Sequence, residues 1–272
     1  MTKNEKALPI LLVNLDRSED RLIRMKSIFD EMGLSFSKVP AVDGRNMSDV
    51  EIDSWLDADE NFYRLRAGEV GCFLSHRACW SIAAANEQPF TVIFEDDVHI
   101  GEAAVDLLGD VNWIPKDADI IKLETNQRKT FISKNDLKVP ADRSLNQLTG
   151  EHTGTAGYII SSRCAQYLLD NTARFKDPLD QYLFNPISPI FASLKIYQLF
   201  PALCVQDENL NKGGSSESLR STLHEERRLN RLTGLAKLKR ELSRPLKKAF
   251  LWLSAQKKVL FHSQKYQRIP FK

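Results

Sequence analysis

A chain of 272 residues with 42% hydrophobic and 27% charged residues is long enough for one large domain, or one domain with an appendage, around a real core. That balance excludes a wholly disordered, collagen-like or coiled-coil chain. Four cysteines, at 72, 79, 164 and 204 with no CxxC pair, exclude a disulfide framework or zinc ribbon and suit a reducing compartment. The formal net charge of +2 hides an asymmetry: from His224 to Lys272 about 14 Lys and Arg face about 3 acidic residues, so a tail near +11 follows a body near −9.

In chain order, the apolar run LPILLVNL (8–15) predicts a first strand. It is too short for a signal-peptide core or a membrane span, as is AFLWL at 249–253. These runs describe a soluble cytoplasmic protein. Leu22, Met25, Ile28, Phe29 and Met32 recur at helical spacing, with Ser18 at the N-cap position and Gly33 as the stop. A second strand (35–44) ends in a DG turn, and GEVGCFLSHRACWSIAAANEQ (68–88) predicts a helix. PFTVIFEDDV (89–98) is apolar on both faces, the mark of a central strand covered by helices on each side. Further strands are expected over 117–124, 155–161 and 195–206, with a helix over 162–170. This alternation predicts an α/β fold with a mainly parallel central sheet. Residues 207–222 are rich in polar residues, Gly and Ser, and predict a linker. The division is therefore a body over 1–222 and a basic helical tail over 223–272.

Ligands of open α/β sheets bind at the carboxyl ends of strands, where two features gather. Glu95-Asp96-Asp97 follows the apolar strand. Alternation puts Glu95 and Asp97 on one face, a pair of oxygen ligands suited to Mn²⁺ or Mg²⁺ and through it to a diphosphate. Asn14, Asp16, Arg17, Ser18, Asp20 and Arg21 follow the first strand, at a helix start flanked by arginines that suits an anion. The glycine patterns of dinucleotide and P-loop sites are absent. Ser75 and His76 stand side by side in the predicted helix, where neighbours do not face each other, so they do not read as a nucleophile and its base.

In order and spacing, PILLVNLDRSEDRLIRM, FSKVPAVDG, RAGEVGCFLSHRACW, FTVIFEDDV and HTGTAGYIISSRCAQYLL resemble glycosyltransferase family 25, which includes lipooligosaccharide galactosyltransferases and collagen galactosyltransferase domains. The resemblance covers roughly residues 8–210. It implies a GT-A-like domain, a UDP-sugar donor (UDP-galactose most often), a divalent metal on the acidic motif, and inverting transfer that forms a β-glycosidic bond on a lipooligosaccharide or other glycan. It places Asp97 as metal ligand with Glu95, and Glu95 and Asp96 against the donor's ribose and sugar. Asn14, Leu15, Arg17 and Arg21 would receive the nucleotide; Gly71, Ser75 and His76 would line the donor cleft. Gly154, Thr155, Gly157 and Tyr158 would close the site, and Asp180 would be the general base. An inverting transfer needs such a base and something to hold the charge developing on the departing UDP, which a divalent ion on the diphosphate supplies. A metal-dependent phosphotransferase or hydrolase and a membrane-tethered, non-enzymatic interaction protein are the competing readings.

The tail lies outside the family's pattern. Leu235, Leu238, Leu242, Leu246, Ala249, Phe250 and Leu253 recur at helical spacing among Lys237, Lys239, Arg240, Arg244, Lys247 and Lys248, with a kink expected at Pro245. A basic amphipathic helix of this kind predicts an anchor to anionic lipid on the inner face of the cytoplasmic membrane, close to a lipid-linked acceptor. No nucleic-acid-binding motif accompanies the charge.

Overall fold

The computed structural model describes residues 7–57, 64–210 and 263–272. In chain order the elements are β1 (Ile10–Asn14), α1 (Glu19–Glu31), β2 (Ser37–Pro40), α2 (Asp49–Trp55), α3 (Ala67–Ala84), β3 (Phe90–Glu95), β4 (Val98–Ile100), α4 (Ala104–Leu108), β5 (Ile120–Lys122), β6 (Lys129–Val139), β7 (Arg143–Leu148), β8 (Gly157–Ser161), α5 (Ser162–Asp170), α6 (Leu179–Phe184), β9 (Ile196–Phe200), β10 (Cys204–Gln206), α7 (Asp207–Leu210) and β11 (Gln264–Arg268).

A nine-stranded sheet runs in the order β11-β6-β7-β9-β5-β8-β3-β1-β2, and β10 pairs with β4 in a second, small sheet. The large sheet is mixed. Parallel pairing holds for β1 with β2 and β3, and for β5 with β9. Every other ladder is antiparallel, including both edges of β8. The expectation of a mainly parallel sheet is thus met at the β2-β1-β3 end and corrected beyond it, because β8, between β3 and β5, and then β7 and β11 run the other way. Strand burial alone does not carry direction.

Alternation along the central strands divides the core. Leu11, Val13 and Ile93 face the layer holding α3 and α5, and pack with Phe73, Trp80 and Leu168. Ile10, Leu12, Val92 and Phe94 face the layer of α1 and α4, and pack with Met25, Phe29, Leu107 and Leu108. The period of two thus decides what each residue after β3 will meet. α1 closes as its sequence predicts, with Gly33 at φ +65° in the left-handed conformation favoured after a helix. Ser18 holds the N-cap position, but its side chain makes no cap hydrogen bond.

The stretch 195–206 is not one strand. Pro201, which cannot donate to a ladder, follows β9, and β10 joins the small sheet. The β6–β7 hairpin is an unpredicted addition. The end of the chain is also part of the body. β11 pairs with β6, Ile269 is fully buried, and the Arg143 guanidinium donates to the carbonyls of Pro201, Ala202, Glu102 and Lys272. The tail assigned to 223–272 therefore does not run as one helix to its end. Its residues 223–262 lie outside the described residues.

Candidate active site

Glu95 ends β3 on the same face as Ile93, so it points toward α3. There its Oε1 lies 3.3 Å from His76 Nε2 and accepts from the Thr155 hydroxyl at 2.9 Å. Asp96 has the parity of Phe94 and turns toward α1. It accepts from Arg21 at 3.0 Å and from Asn14 Nδ2 at 2.7 Å, all three residues being buried. Asp97 is buried beyond the strand end, its backbone oxygen accepting from the Asp207 amide at 2.9 Å. The Gln206 amide spans the first and third acids, 3.2 Å from Glu95 Oε2 and 3.5 Å from both Asp97 oxygens. The convergence of Glu95 and Asp97 follows the alternation, but Asp96 is committed to a clamp between β1, α1 and the acidic turn.

The electrostatics separate the three acids. Burial pushes the Asp97 carboxyl well above the usual range, and the charges of Glu95 and Asp96 push it further. Burial also raises Asp96, against the opposing pull of Arg21 and Asn14. Glu95 is only half-buried; desolvation raises it as well, yet hydrogen bonds from His76 and Thr155 and the nearby Lys122 charge hold its carboxyl below the usual value. Asp97 makes no ion pair among the described residues. A buried carboxylate beside a second ionised one, with oxygen donors converging, fits a hard divalent cation. The ligating atoms of Cys72, His76 and Glu95 also lie within 4.8 Å of one another, a group that does not include Asp97. Burial, and then the Glu95 and Asp180 carboxylates, push the Cys72 thiol well up, so it is a poor nucleophile as well as a poor soft ligand.

Two cavities meet at Cys72 and Glu95. The smaller, about 110 Å³, runs past Leu15, Arg17, Arg21, Arg45, Ser75 and the acidic turn. The larger, about 460 Å³, is lined by Glu124, Asn126, Arg128, Glu151, Thr155, Asp180, Gln206 and Glu208 among others. The loop over 41–45 roofs the small one, where Arg17 pairs with Asp43. Ser75 holds that loop, its hydroxyl accepting from the Val42 amide at 2.8 Å and donating to the Gly71 carbonyl at 2.6 Å. Gly71 lines neither cavity. A Cβ there would lie 2.6 Å from the Val42 oxygen and 2.9 Å from the Gly44 nitrogen, so its role is to let the loop lie on α3.

Gly157 and Tyr158 also stand behind the site rather than in it. Gly157 faces Cys204 and Phe94, with no room for a side chain, and Tyr158 is fully buried beneath His76 and Trp80. Thr155 and Asp180 do line the large cavity, where Asp180 accepts from the Gly154 amide at 3.2 Å and the Gln181 amide at 2.8 Å. The structure therefore brings Asn14, Arg21, Ser75, His76, Glu95, Asp96, Asp97 and Thr155 into one connected site. Leu15 and Arg17 lie along the small cavity, and Asp180 on the far wall of the large one.

Sequence reasoning missed Gln206, Arg45 and the pair Lys122 and Glu124. The last two are completely buried, 3.3 Å apart. Lys122 also donates to the Gly154 carbonyl, and Glu124 accepts from the Ala156 amide at 3.0 Å. They pin the loop that delivers Thr155 to Glu95. The alternating charges in IIKLE were the available signal, since a lysine and a glutamate on one face of an apolar strand must pair to be buried. Gln206 carries no local signal.

Residues 7–183 match the family described as Glycosyltransferase family 25 (LPS biosynthesis protein). A putative glycosyltransferase of Haemophilus influenzae is 35% identical over 194 residues, covering 69% of this chain and 66% of that protein. A lacto-N-neotetraose biosynthesis glycosyltransferase, LgtB, of Neisseria gonorrhoeae is 34% identical over 174 residues, covering 60% and 62%. The lipooligosaccharide biosynthesis protein lex-1 of Haemophilus influenzae is 33% identical over 174 residues, covering 60% and 56%. The matched stretch thus spans about two thirds of these relatives or less. A solved glycosyltransferase involved in glycosylating the major capsid of PBCV-1 aligns at a TM-score of 0.39 with 11% identity, over 74% of this chain and 93% of that one, too distant to bear on the fold. With the acidic turn, the GCFLSH helix and the first strand and helix all inside the matched residues, this chain belongs to glycosyltransferase family 25.

Proposed function

We propose that this protein is an inverting glycosyltransferase with a GT-A-like body that moves a hexose, galactose from UDP-galactose, onto a lipooligosaccharide glycan with formation of a β-glycosidic bond. The observation that carries the reading is the pair of cavities meeting at Glu95. The smaller has the arginines and the first strand and helix that suit a nucleoside diphosphate. The larger has the hydroxyl, amide and carboxylate groups that suit neutral sugars. The donor's anomeric carbon would lie where they join.

In this reading the acceptor hydroxyl attacks the anomeric carbon from the side opposite the diphosphate. The new C–O bond forms as the bond to the phosphate oxygen breaks, and the electron pair leaves with UDP. Asp180 takes the hydroxyl proton, its carboxylate oriented by two backbone amides. Glu95 and Asp97 would hold a Mn²⁺ or Mg²⁺ ion, which when bound supplies positive charge to the diphosphate. Asn14 and Arg21 act through Asp96, keeping the turn that presents those two carboxylates in place. A covalent intermediate is unnecessary, and Cys72, which stays a thiol, offers none. The metal-dependent phosphotransferase and the tethered interaction protein are disfavoured by membership of this family.

The test is nucleotide release from a panel of UDP- and GDP-sugars with Mn²⁺ and purified lipooligosaccharide acceptors, for the wild type and Asp97→Asn. Release from UDP-galactose that needs both acceptor and metal, and falls by about a thousandfold or more in Asp97→Asn, is the expected result. Near-normal release in that variant would end the assignment of Asp97, and release from a GDP-sugar alone would end that of the donor.

A further inference from the structure

Tyr158 touches neither cavity, yet it sits at the root of a hydrogen-bonded chain that ends on Glu95. Trp80 Nε1 is 2.9 Å from the Tyr158 hydroxyl, which is 2.8 Å from His76 Nδ1; His76 Nε2 is 3.3 Å from Glu95 Oε1. Trp80, Tyr158 and His76 are completely buried, and the His76 and Tyr158 rings stack with centroids 5.7 Å apart. The hydrogens follow from the chemistry of the groups. An indole N–H can only donate, so the Tyr158 oxygen accepts from Trp80. The phenolic hydrogen then has one acceptor among the described residues, His76 Nδ1. A ring nitrogen that accepts leaves the other to carry the hydrogen, so His76 Nε2 donates to Glu95.

We propose that Tyr158, set by Trp80, is a positioning residue that locks His76 in its Nε2–H tautomer and thereby aims the Glu95 carboxylate at the junction of the two cavities. In the opposite tautomer a nitrogen lone pair would face the Glu95 oxygen, and the phenolic hydrogen would have no acceptor. With His76 and Thr155 both donating to Oε1 and Gln206 to Oε2, the carboxylate is held at both oxygens, where Glu95 lines both cavities. The lock also bears on the group of Cys72, His76 and Glu95: while Nε2 carries its hydrogen it offers no lone pair, so an ion there would first have to displace that proton. The consequence for donor binding rests on the functional reading above; the tautomer does not.

The experiment is a two-bond ¹H–¹⁵N correlation spectrum of the full chain labelled with ¹⁵N-histidine, with His76 assigned by its loss in His76→Asn. The expected spectrum of the wild type shows Nε2 in the protonated range and Nδ1 in the unprotonated range, and in Tyr158→Phe the two move toward a mixture. A wild-type Nδ1–H tautomer, or a Tyr158→Phe spectrum unchanged from wild type, would overturn the lock. UDP affinity in the presence of Mn²⁺, measured by calorimetry, should fall about tenfold in Tyr158→Phe, the loss expected when a hydrogen bond to a charged group is disordered. Unchanged affinity beside a changed tautomer would overturn the positioning role. If Tyr158→Phe does not fold, the wild-type spectrum alone decides the tautomer, and Trp80→Phe, which frees the Tyr158 hydroxyl to turn, takes its place in both measurements. Failure of UDP to bind the wild type would count against the donor assignment and leave the tautomer standing.

Discussion

At the scale of single residues, the acidic triplet shows how a strand end distributes work. Consecutive carboxylates leave β3 in alternating directions, so one meets an arginine, one a histidine, and the third meets neither. The acceptor side is less symmetrical. Asp180 is both a first-turn residue of α6 and a wall of the large cavity, and its two roles separate in a substitution. Asp180→Asn keeps an oxygen for one of the two backbone amides, which bind different carboxylate oxygens, but cannot take a proton. Its turnover is expected to fall about a hundredfold or more with donor affinity nearly unchanged, measured by steady-state transfer and by UDP-sugar binding. His152 makes a different kind of prediction. It is buried with neither ring nitrogen hydrogen-bonded among the described residues, and burial, then Lys122, holds it well below its usual value. Its pKa is depressed in the folded state, so below about pH 6.5 the unfolded chain takes up a proton that the folded chain refuses. Stability is therefore expected to fall as pH drops through that range, by at most about 1.4 kcal/mol per pH unit from this one group. His152→Leu should flatten that slope in urea unfolding at pH 7.5, 6.0 and 5.0; an unchanged slope would assign it to other groups.

At the scale of elements, α3 does more than cover the sheet. One turn carries Gly71, which admits the backbone of the 41–45 loop, and the next carries Ser75 and His76, which hold that loop and Glu95. The sequence block GCFLSH is therefore legible as a unit, although its glycine serves packing, and its serine holds the loop while also lining the small cavity. Gly71→Ala tests this. The added carbon meets backbone atoms that cannot turn away, so the loop must lift. A loss of about 1–3 kcal/mol in stability is expected, with weakened nucleotide binding and an intact catalytic step once donor is saturating. Thermal melts together with UDP titration check both parts. The β6–β7 hairpin escaped the sequence reading for a local reason. Its turn places Ala141 and Asp142 at positive φ, where the usual signal is Asn-Gly or Asp-Gly, and much of β6 is polar and exposed.

At the scale of the whole molecule, the return of the chain end changes how the basic tail can be tested. Among the described residues no helix is long and apolar enough to cross a membrane, and the proposed anchor lies within 223–262, outside them. Ending the chain near residue 223 would remove the anchor, but it would also strip β11 from the sheet edge and Ile269 from the core, and take from Arg143 one of its acceptors. The clean variant keeps the full length and replaces Lys237, Lys239, Arg240, Arg244, Lys247 and Lys248 with glutamine. Co-sedimentation with vesicles of phosphatidylglycerol and phosphatidylethanolamine is expected for the wild type at low salt. It should be lost in this variant and in high salt, since each such charge near an anionic surface contributes about 1 kcal/mol. Equal sedimentation of both proteins would overturn the anchor expected from the sequence.

The sequence by itself determined the elements whose signal is periodic: β1, α1, β2, α3, β3, β8 and α5 stand where apolar spacing predicts them, and the alternation at the end of β3 already separated Glu95 and Asp97 from Asp96. It also carried the family, through blocks that keep their order. Only the tertiary structure decided what each of those side chains meets. Gln206 reaches Glu95 from 111 positions along the chain, Tyr158 reaches His76 from 82, and Arg143 holds the Lys272 carbonyl from 129. Periodicity is a local property and tells a residue which face it takes. The order and direction of strands in the sheet decide which distant residue waits on that face, and nothing within a helix or strand records that order.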